Sequence, residues 1–277
     1  MGAMGVTCAM KTRITLLAVT LLVFSHTQTA NAYEVVNVDG GGSITGKVLL
    51  KGKPLLAKRF KVEKTPEVCG QEDRLLYEMR VKDGALADVV LYLEGVTAGK
   101  PFAKEVVIEG PPPGARKHGH DGGMEFPGTT IRPKNCIFGA FTGVVANGKL
   151  MRFRNQDPVK HSPHTYAVKG RVRKSMFNMD LEGNGSLDVP IDLKKKIKVV
   201  KLECDQHNHM QNWFYRVDSP YYAFSGDDGD FTIDKVPPGE YQLVAWHPKI
   251  KKILKQKLTV EPNGVVDVVF EFKSRRK

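Results

Sequence analysis

The chain has almost none of the apolar periodicity that would predict a helical or an α/β protein. Its 277 residues instead contain short runs of alternating apolar and polar residues, separated by glycine, proline, asparagine and aspartate. Such runs at close spacing predict an all-β protein built from sandwiches or barrels. A chain of this length exceeds one ordinary domain, so we expect two domains or one large β structure.

Three further absences narrow the function. No apolar run beyond residue 24 is long enough to span a bilayer, so we expect no transmembrane segment. The net charge of +12 favours an acidic partner, but no aromatic and basic recognition motif accompanies it, so we expect no nucleic-acid partner. No general base, activated serine or pair of acids stands beside the candidate site described below, which argues against an enzyme.

The first residues have the order of a secretory signal. Lys11 and Arg13 precede an apolar run that ends at Phe24, and a stretch of small residues then leads to Ala32. This order of charge, short apolar core and A-x-A motif predicts a signal peptide over residues 1–32, cleaved near Ala32. We therefore expect a soluble protein that is periplasmic or secreted.

One short stretch, residues 201–210, concentrates the chemistry. Cys204, His207 and Met210 follow a strand-like run at a C-x2-H-x2-M spacing, and His161 ends an upstream N-x-D-x3-H segment. A thiolate, imidazoles and a thioether form a soft ligand set of the kind that electron-transfer copper sites use. A cysteine with two histidines also suits a tetrahedral zinc site, so zinc and a metal-free protein stay open as alternatives.

The two segments together resemble those of the cupredoxins, and the short ligand loop is most similar to that of amicyanin. The resemblance implies a Greek-key β-sandwich that holds copper as its cofactor, in one type 1 (blue) site. Carried over by motif, His161, Cys204 and His207 are the strong ligands and Met210 is the axial ligand. We expect no catalytic residues.

Three neighbouring positions complete this expectation. The residue after the first ligand, commonly asparagine in the family, is Ser162 in this chain, and its backbone N–H is expected to donate to the thiolate. His164 and His209 are predicted to be surface groups or neighbours of the ligands. An exposed ring, His207 or His209, is the expected exit route for the electron.

The copper interpretation also assigns the remaining cysteines. A ligand thiolate at Cys204 must stay unpaired, and Cys8 would leave with the signal peptide. Cys69 and Cys136 are then left for a disulfide, which an oxidising compartment permits.

A second signature lies in the C-terminal part of the chain. Residues 228–245 contain a D-G-x-F…P-P-G-x-Y pattern, which resembles that of carboxypeptidase regulatory-like domains, small transthyretin-like β-sandwiches. The run Ile44–Val48 is similar to the first strand of that module. The resemblance implies a cupredoxin-like sandwich inserted in, or packed beside, a regulatory-like sandwich made from both chain ends, with two sequential domains as the alternative. The expected ranges are 33–66 for the first strands of the regulatory-like sandwich, 67–222 for the copper domain and 223–277 for the remaining regulatory-like strands.

Two local features carry separate expectations. Phe141–Val145 and Leu150–Phe153 flank an Asn-Gly pair, which predicts a β-hairpin. The segment from 110 to 134 has no strand signal and contains His118, His120 and Met124. Long loops in compact domains tend to be functional or disordered, so this one fits either a copper-collecting loop or a flexible surface loop.

Three functions fit these observations. The first is an exported one-electron carrier with a redox partner that we expect to be acidic. The second is a periplasmic protein that delivers or stores copper with the same soft ligands. The third is a surface-binding β-sandwich module with a non-catalytic metal site, and the intact ligand motifs on both segments argue against it.

Overall fold

Strands make up nearly all of the regular structure in the residues that can be described. The structure, a computed structural model, describes residues 1–2, 33–102, 105–109, 128–194 and 196–274. The expected signal peptide beyond its first two residues lies outside the described residues, and so do residues 110–127, which include His118, His120 and Met124. The rest of the segment expected to lack a strand, up to residue 134, contains one at Gly128–Arg132. Within the described residues, no helix has the length and apolar character needed to cross a membrane.

The predicted all-β class is confirmed. One short helix, α1 (Pro66–Cys69), interrupts the strands of the described part. The strands in chain order are β1 (Glu34–Val35), β2 (Gly42–Lys51), β3 (Lys58–Phe60), β4 (Arg74–Leu76), β5 (Val81–Lys82), β6 (Ala85–Leu86), β7 (Val90–Glu94), β8 (Ala98–Gly99), β9 (Glu105–Glu109), β10 (Gly128–Arg132), β11 (Thr142–Ala146), β12 (Leu150–Arg154), β13 (Pro163–Lys169), β14 (Val172–Asn178), β15 (Ser186–Pro190), β16 (Val199–Cys204), β17 (Gln211–Val217), β18 (Tyr222–Phe224), β19 (Asp230–Val236), β20 (Gly239–Trp246), β21 (Leu254–Val260) and β22 (Val265–Lys273).

One sandwich, called the end sandwich below, is built from strands near both ends of the described chain. Its first sheet has the order β19-β2-β6-β5, with β22 parallel to β2, and its second has the order β18-β7-β20-β21. Alternating side chains such as Ile44, Leu91 and Phe270 form one apolar cluster between the two sheets. Because each fully buried side chain of this kind contributes about 1.5–3 kcal/mol, this cluster is the main source of the sandwich's stability.

The other sandwich, called the ligand sandwich below, carries all four candidate ligands. Its sheets have the orders β15-β12-β10-β9 and β11-β17-β16-β13-β14. The apolar cluster between them includes Met151, Val200 and Phe214, together with Cys204 and Met210. The candidate ligands are therefore part of a packed core, which limits how far they can move.

The two sandwiches pack against each other through a third buried cluster. Val90, Tyr92 and Trp246 of the end sandwich meet Val144 and Tyr215 of the ligand sandwich. The Tyr215 ring lies 4.9 Å from the Tyr92 ring and 4.9 Å from the Trp246 ring. Aromatic pairs at this distance add about 0.5–1.5 kcal/mol each beyond their buried area. All of these residues belong to one compact unit, Ala32–Lys277.

The strand pairing divides the chain differently from the expected ranges. Strands β5, β6 and β7, between residues 81 and 94, pair in the sheets of the end sandwich, although the expected range 67–222 placed them in the copper domain. The expected hairpin around Asn147 and Gly148 is wrong. Strand β11 pairs with β17, whereas β12 pairs with β10 and β15, so the Asn-Gly turn joins the two opposing sheets of one sandwich.

Candidate metal centre

A tight loop between β16 and β17 positions three of the four candidate ligands. Cys204 is the last residue of β16, and its backbone N–H donates to the Met210 carbonyl at 3.1 Å. The Met210 N–H in turn donates to the His207 carbonyl at 3.0 Å. These bonds fold the loop back on itself, so the side chains of Cys204 and His207 approach each other, and Met210 is buried in the same apolar cluster as Cys204.

The fourth candidate, His161, reaches this point from the neighbouring strand. It forms a bridge with Leu181 just before β13, and β13 pairs with β16 so that Pro163 lies opposite Cys204. His161 Nδ1 lies 3.2 Å from His207 Nδ1 and 4.0 Å from Cys204 Sγ, and His207 Nδ1 lies 3.7 Å from the same sulfur. Atoms bound to one ion at about 2.0–2.3 Å lie roughly 3.3–4 Å apart, so these separations fit one shared metal ion.

The far edge of the His161 ring is fixed by Asp157. His161 Nε2 lies 2.9 Å from the Asp157 carboxylate, which also accepts the backbone N–H groups of Asn135 and Cys136 at 2.5 and 2.9 Å. Burial opposes ionisation of Asp157, but its bonds to His161 and to these N–H groups lower its pKa. Because an ionised carboxylate only accepts hydrogen bonds, a ring hydrogen is assigned to Nε2, and Nδ1 is the ring nitrogen that faces Cys204.

The N-x-D-x3-H segment also explains why Asp157 holds this position. The Asn155 side chain accepts the Asp157 backbone N–H at 3.0 Å and donates to the Val159 and Glu182 carbonyls at 2.8 and 2.9 Å. The asparagine therefore ties down the turn that presents the aspartate. From the sequence, His161 was the only residue of this motif with a predicted role, and Asn155 and Asp157 had none.

The far edge of the His207 ring is covered by a loop of the end sandwich. Thr65, just before α1, places its hydroxyl 3.1 Å from His207 Nε2 and 3.1 Å from Cys69 Sγ. We call residues 65–70 the cap. Pro66 starts the helix with a preset φ, and Gly70 ends it at φ +91°. Thr65 has a φ of 46°, which is strained for a β-branched residue and is characteristic of a functional position.

A disulfide attaches the cap to the ligand sandwich. Cys69 and Cys136 are bonded, with their Cα atoms 5.1 Å apart, so the predicted pairing is confirmed. Cys204 is the free cysteine of the described residues. Arg74 strengthens the same junction because its guanidinium donates to the Cys69 carbonyl and to the Asn135 carbonyl.

The two ligand segments are also tied to each other. The Ser162 backbone N–H points at Cys204 Sγ at 3.4 Å, which agrees with the expectation from the sequence. The Ser162 hydroxyl accepts the Gln206 side-chain amide at 3.3 Å, and the Asp205 N–H donates to the Ser162 carbonyl at 3.0 Å. Serine and glutamine thus supply a side-chain link between the two ligand segments.

The expected exit route through an exposed imidazole is wrong. His207 is only 4% exposed and His209 only 7%, because the cap and the Cys136 loop cover them. His209 Nε2 donates to the Cys136 carbonyl at 3.0 Å, and burial lowers its pKa to about 4, so the ring is neutral. His164 is a surface group as expected: its side chain is 16% exposed and lies 3.2 Å from Asp205.

The electrostatics of the donor set favour a cation at its centre. Burial alone would raise the pKa of Cys204, but the two imidazoles and the N–H groups of Ser162 and Gln206 lower it to about 6. A thiolate therefore faces two Nδ1 atoms; burial opposes protonation of His161, but its bonds to Asp157 and Cys204 raise its pKa. Such a group of buried acceptors is costly unless a proton or a metal ion lies between them. Met210, 1% exposed, lies in the same apolar cluster as Cys204 and offers a thioether as a further soft donor.

Comparison with known proteins gives one partial family match. Residues 199–268, well under half of the chain, match the family described as polysaccharide lyase family 4, domain II. No curated protein matches the chain.

Solved structures similar to the chain include several cupredoxins. The reduced Cu(I) form of an amicyanin variant at pH 4 is 10% identical, with a TM-score of 0.26, and the match covers 32% of this chain and 80% of that one. A second Cu(I) amicyanin variant is 11% identical with the same TM-score and coverage. A novel purple cupredoxin from Nitrosopumilus maritimus is 18% identical with a TM-score of 0.23, covering 28% of this chain and 78% of that one. Likenesses at this level do not assign a function.

Proposed function

We propose that the chain is an exported type 1 (blue) copper protein that carries one electron at a time. His161, Cys204 and His207 are the strong ligands of this proposal, and Met210 is the axial ligand. The observation that carries it is the convergence of two ring nitrogens and a low-pKa thiol, spaced 3.2–4.0 Å apart in a buried core. Met210, buried in the same apolar cluster as Cys204, offers a thioether, and soft ligands of this kind favour copper over zinc.

The protein's own contribution is a fixed geometry. Asp157 orients the His161 ring, Thr65 contacts the His207 ring, and the Ser162 N–H points at the thiolate. Copper bound there would supply a one-electron couple. Because partners of this kind hold the ligands in place, the donor atoms rearrange little between oxidation states, which favours fast electron exchange. The hydrogen bond to sulfur and the axial ligand also tune the reduction potential.

The same burial supports an electron carrier over a copper-delivery protein. A delivery protein needs a ligand set from which the ion exchanges readily with a partner. Here all four candidate ligands are at most 4% exposed, and a disulfide-tethered cap covers one of them. The proposal involves no catalytic residue. The net charge of +12 favours an acidic redox partner in the exported compartment.

The visible spectrum of the purified protein after addition of Cu(II) tests the proposal. We expect strong colour from thiolate-to-copper charge transfer, because the Cys204 thiolate would be one of the strong ligands. Cys204→Ser should remove the colour, whereas His164→Ala, which changes a surface imidazole, should keep it. A wild-type protein that stays colourless with copper yet binds zinc tightly would overturn the proposal.

Dialysis of the reduced, copper-loaded protein against a moderate Cu(I) chelator separates electron transfer from delivery. We expect the copper to be retained over many exchange volumes, because the ligands are enclosed. Rapid loss of copper on reduction would instead assign the protein to copper delivery.

A further inference from the structure

The outer edge of the His207 ring faces a second group of sulfur atoms. Its Nδ1 points toward Cys204 and His161, while its Nε2 points toward Thr65 and the disulfide. One ring nitrogen of His207 and the sulfurs of Cys69 and Cys136 all lie within 4.8 Å of one another. The imidazole therefore stands between two buried groups of soft donors, each of which contains cysteine sulfur.

The disulfide also holds the cap against the ligands. His161 and His207 have their far edges bonded to Asp157 and Thr65, and both of these residues contact the disulfide half-cystines or their backbone. Cys69 and Cys136 are themselves fully buried. The cap therefore covers the outer edge of His207, and the disulfide limits how far the cap can move away from it.

We propose that Cys69, Cys136 and His207 form a second metal site in the dithiol state, which captures Cu(I) at the entrance to the inner ligands. Two thiolates and an imidazole are the soft donors that Cu(I) prefers. The site exists only while the two cysteines are reduced, because disulfide sulfurs lack the thiolate charge that binds metal. From this position, exchange of ligands around His207 passes the ion inward to Cys204 and His161 without any redox step.

Closure of the entrance is then a thiol–disulfide exchange. The thiols of Cys69 and Cys136 lose two protons and two electrons to a disulfide oxidant, which leaves as a dithiol. One S–S bond forms in the protein while the S–S bond of the oxidant breaks. The cap is thereby attached over His207 after loading, which produces the closed site that an electron carrier requires.

The second site can be tested without the inner site. In a Cys8→Ser, Cys204→Ala background, the disulfide form and a form reduced with a phosphine are titrated with Cu(I) against a chromophoric Cu(I) chelator. We expect the reduced form to bind one more Cu(I) ion per chain than the disulfide form. The Kd of the reduced form for Cu(I) should be lower than that of the disulfide form by at least about tenfold. Adding Cys69→Ser and Cys136→Ser should lower Cu(I) binding to the level of the disulfide form, whereas His164→Ala should leave the difference between the reduced and disulfide forms unchanged.

Two results would overturn the second site. One is equal Cu(I) binding by the reduced and disulfide forms. The other is extra binding that survives Cys69→Ser and Cys136→Ser, which would assign it to donors elsewhere in the chain. The proposal rests on the copper function proposed above, but this background contains no thiol at position 204. A colourless wild-type protein would therefore count against the blue site and leave this result unaffected.

A second measurement tests the closed entrance. In Cys8→Ser protein free of metal, the rate at which iodoacetamide alkylates Cys204 is compared between the disulfide form and the Cys69→Ser, Cys136→Ser form. We expect alkylation to be slower by about tenfold or more in the disulfide form, because local opening must precede reaction. Equal alkylation rates of Cys204 in the two forms, both of them folded, would overturn the proposal that the disulfide closes the entrance. Reduced wild-type protein, with Cys204 modification quantified by mass spectrometry, gives the same comparison without a substitution.

Discussion

The two sandwiches use their cores for different purposes. Between the sheets of the end sandwich lies an apolar cluster, typified by Ile44 and Phe270, although this sandwich also buries His247. The ligand sandwich instead surrounds its candidate metal site with buried polar groups, including His161, Asp157 and His207. Burying polar groups costs free energy unless each is hydrogen-bonded, so the ligand sandwich gives up part of its packing to fix a geometry.

The cap shows how the end sandwich contributes to the site of the ligand sandwich. The segment between β2 and β5 leaves the end sandwich, covers His207 and is tied to the ligand sandwich by a disulfide. The end sandwich builds its own apolar core, whereas the site of the ligand sandwich is completed by a loop from its neighbour. The end sandwich therefore also supplies the loop that holds His207 of the ligand sandwich in place.

The largest expected effect comes from breaking the apolar core. Phe270→Ala should lower the free energy of unfolding by about 3–5 kcal/mol, because the ring is buried in the end sandwich. Val269→Ala is the matched control on the same strand, since Val269 is 56% exposed, and it should change stability by less than about 0.5 kcal/mol. Denaturant unfolding of the metal-free protein measures both. Equal effects would contradict the division of the core described above.

Removing the disulfide should have the next largest effect. Cys69→Ser with Cys136→Ser opens a link between residues 67 positions apart and should cost about 2–4 kcal/mol. Because the link joins the cap to the ligand sandwich, we also expect hydrogen exchange to accelerate around His207 more than in the end sandwich. Uniform acceleration across both sandwiches would argue against a local restraint.

Asp157→Asn tests how a buried polar group supports the candidate metal site of the ligand sandwich. The amide keeps the shape of the carboxylate but weakens the hydrogen bond to His161, and changes of this kind typically cost about 10–100-fold in metal affinity. Competition with a chelator for Cu(II) gives the affinity. Asp188→Asn, on the exposed edge of the same sandwich, is the control and should leave the affinity within about twofold. An unchanged Cu(II) affinity of the Asp157→Asn protein would contradict the role of Asp157 in orienting His161.

The pH dependence of stability concerns His247, a fully buried histidine of the end sandwich. Burial lowers its pKa to about 4, below the usual value near 6.5, so the unfolded chain takes up the proton more readily. The unfolding free energy should therefore fall as pH decreases from about 6.5 to 4, by at most about 1.4 kcal/mol per pH unit from this residue. His247→Phe should flatten the stability curve in that window. A curve parallel to that of the wild type would show that His247 does not titrate on unfolding.

Much of the site was accessible from the sequence because its members are close along the chain. The spacing of Cys204, His207 and Met210 and the counting of cysteines both led to groups that the fold brings together. The cap was not accessible, because Thr65 lies 142 residues from His207 and no local pattern links them. The prediction that His207 or His209 is exposed was wrong for the same reason, because residues distant in the sequence cover both rings. The Asn147-Gly148 pair correctly marked a turn, but turn chemistry does not determine whether the strands it joins pair or enter opposite sheets.

The pairing of β2 with β22 has a mechanical consequence. These strands lie parallel along their whole length, from Ser43 opposite Val265 to Lys51 opposite Lys273, near the two ends of the described chain. A force that pulls the two ends apart would load this ladder of hydrogen bonds in shear, since the force enters at one end of β2 and leaves at the other end of β22. As long as the ladder holds, tension passes through the end sandwich and bypasses the ligand sandwich. We therefore expect the metal site to remain unloaded until the end sandwich yields.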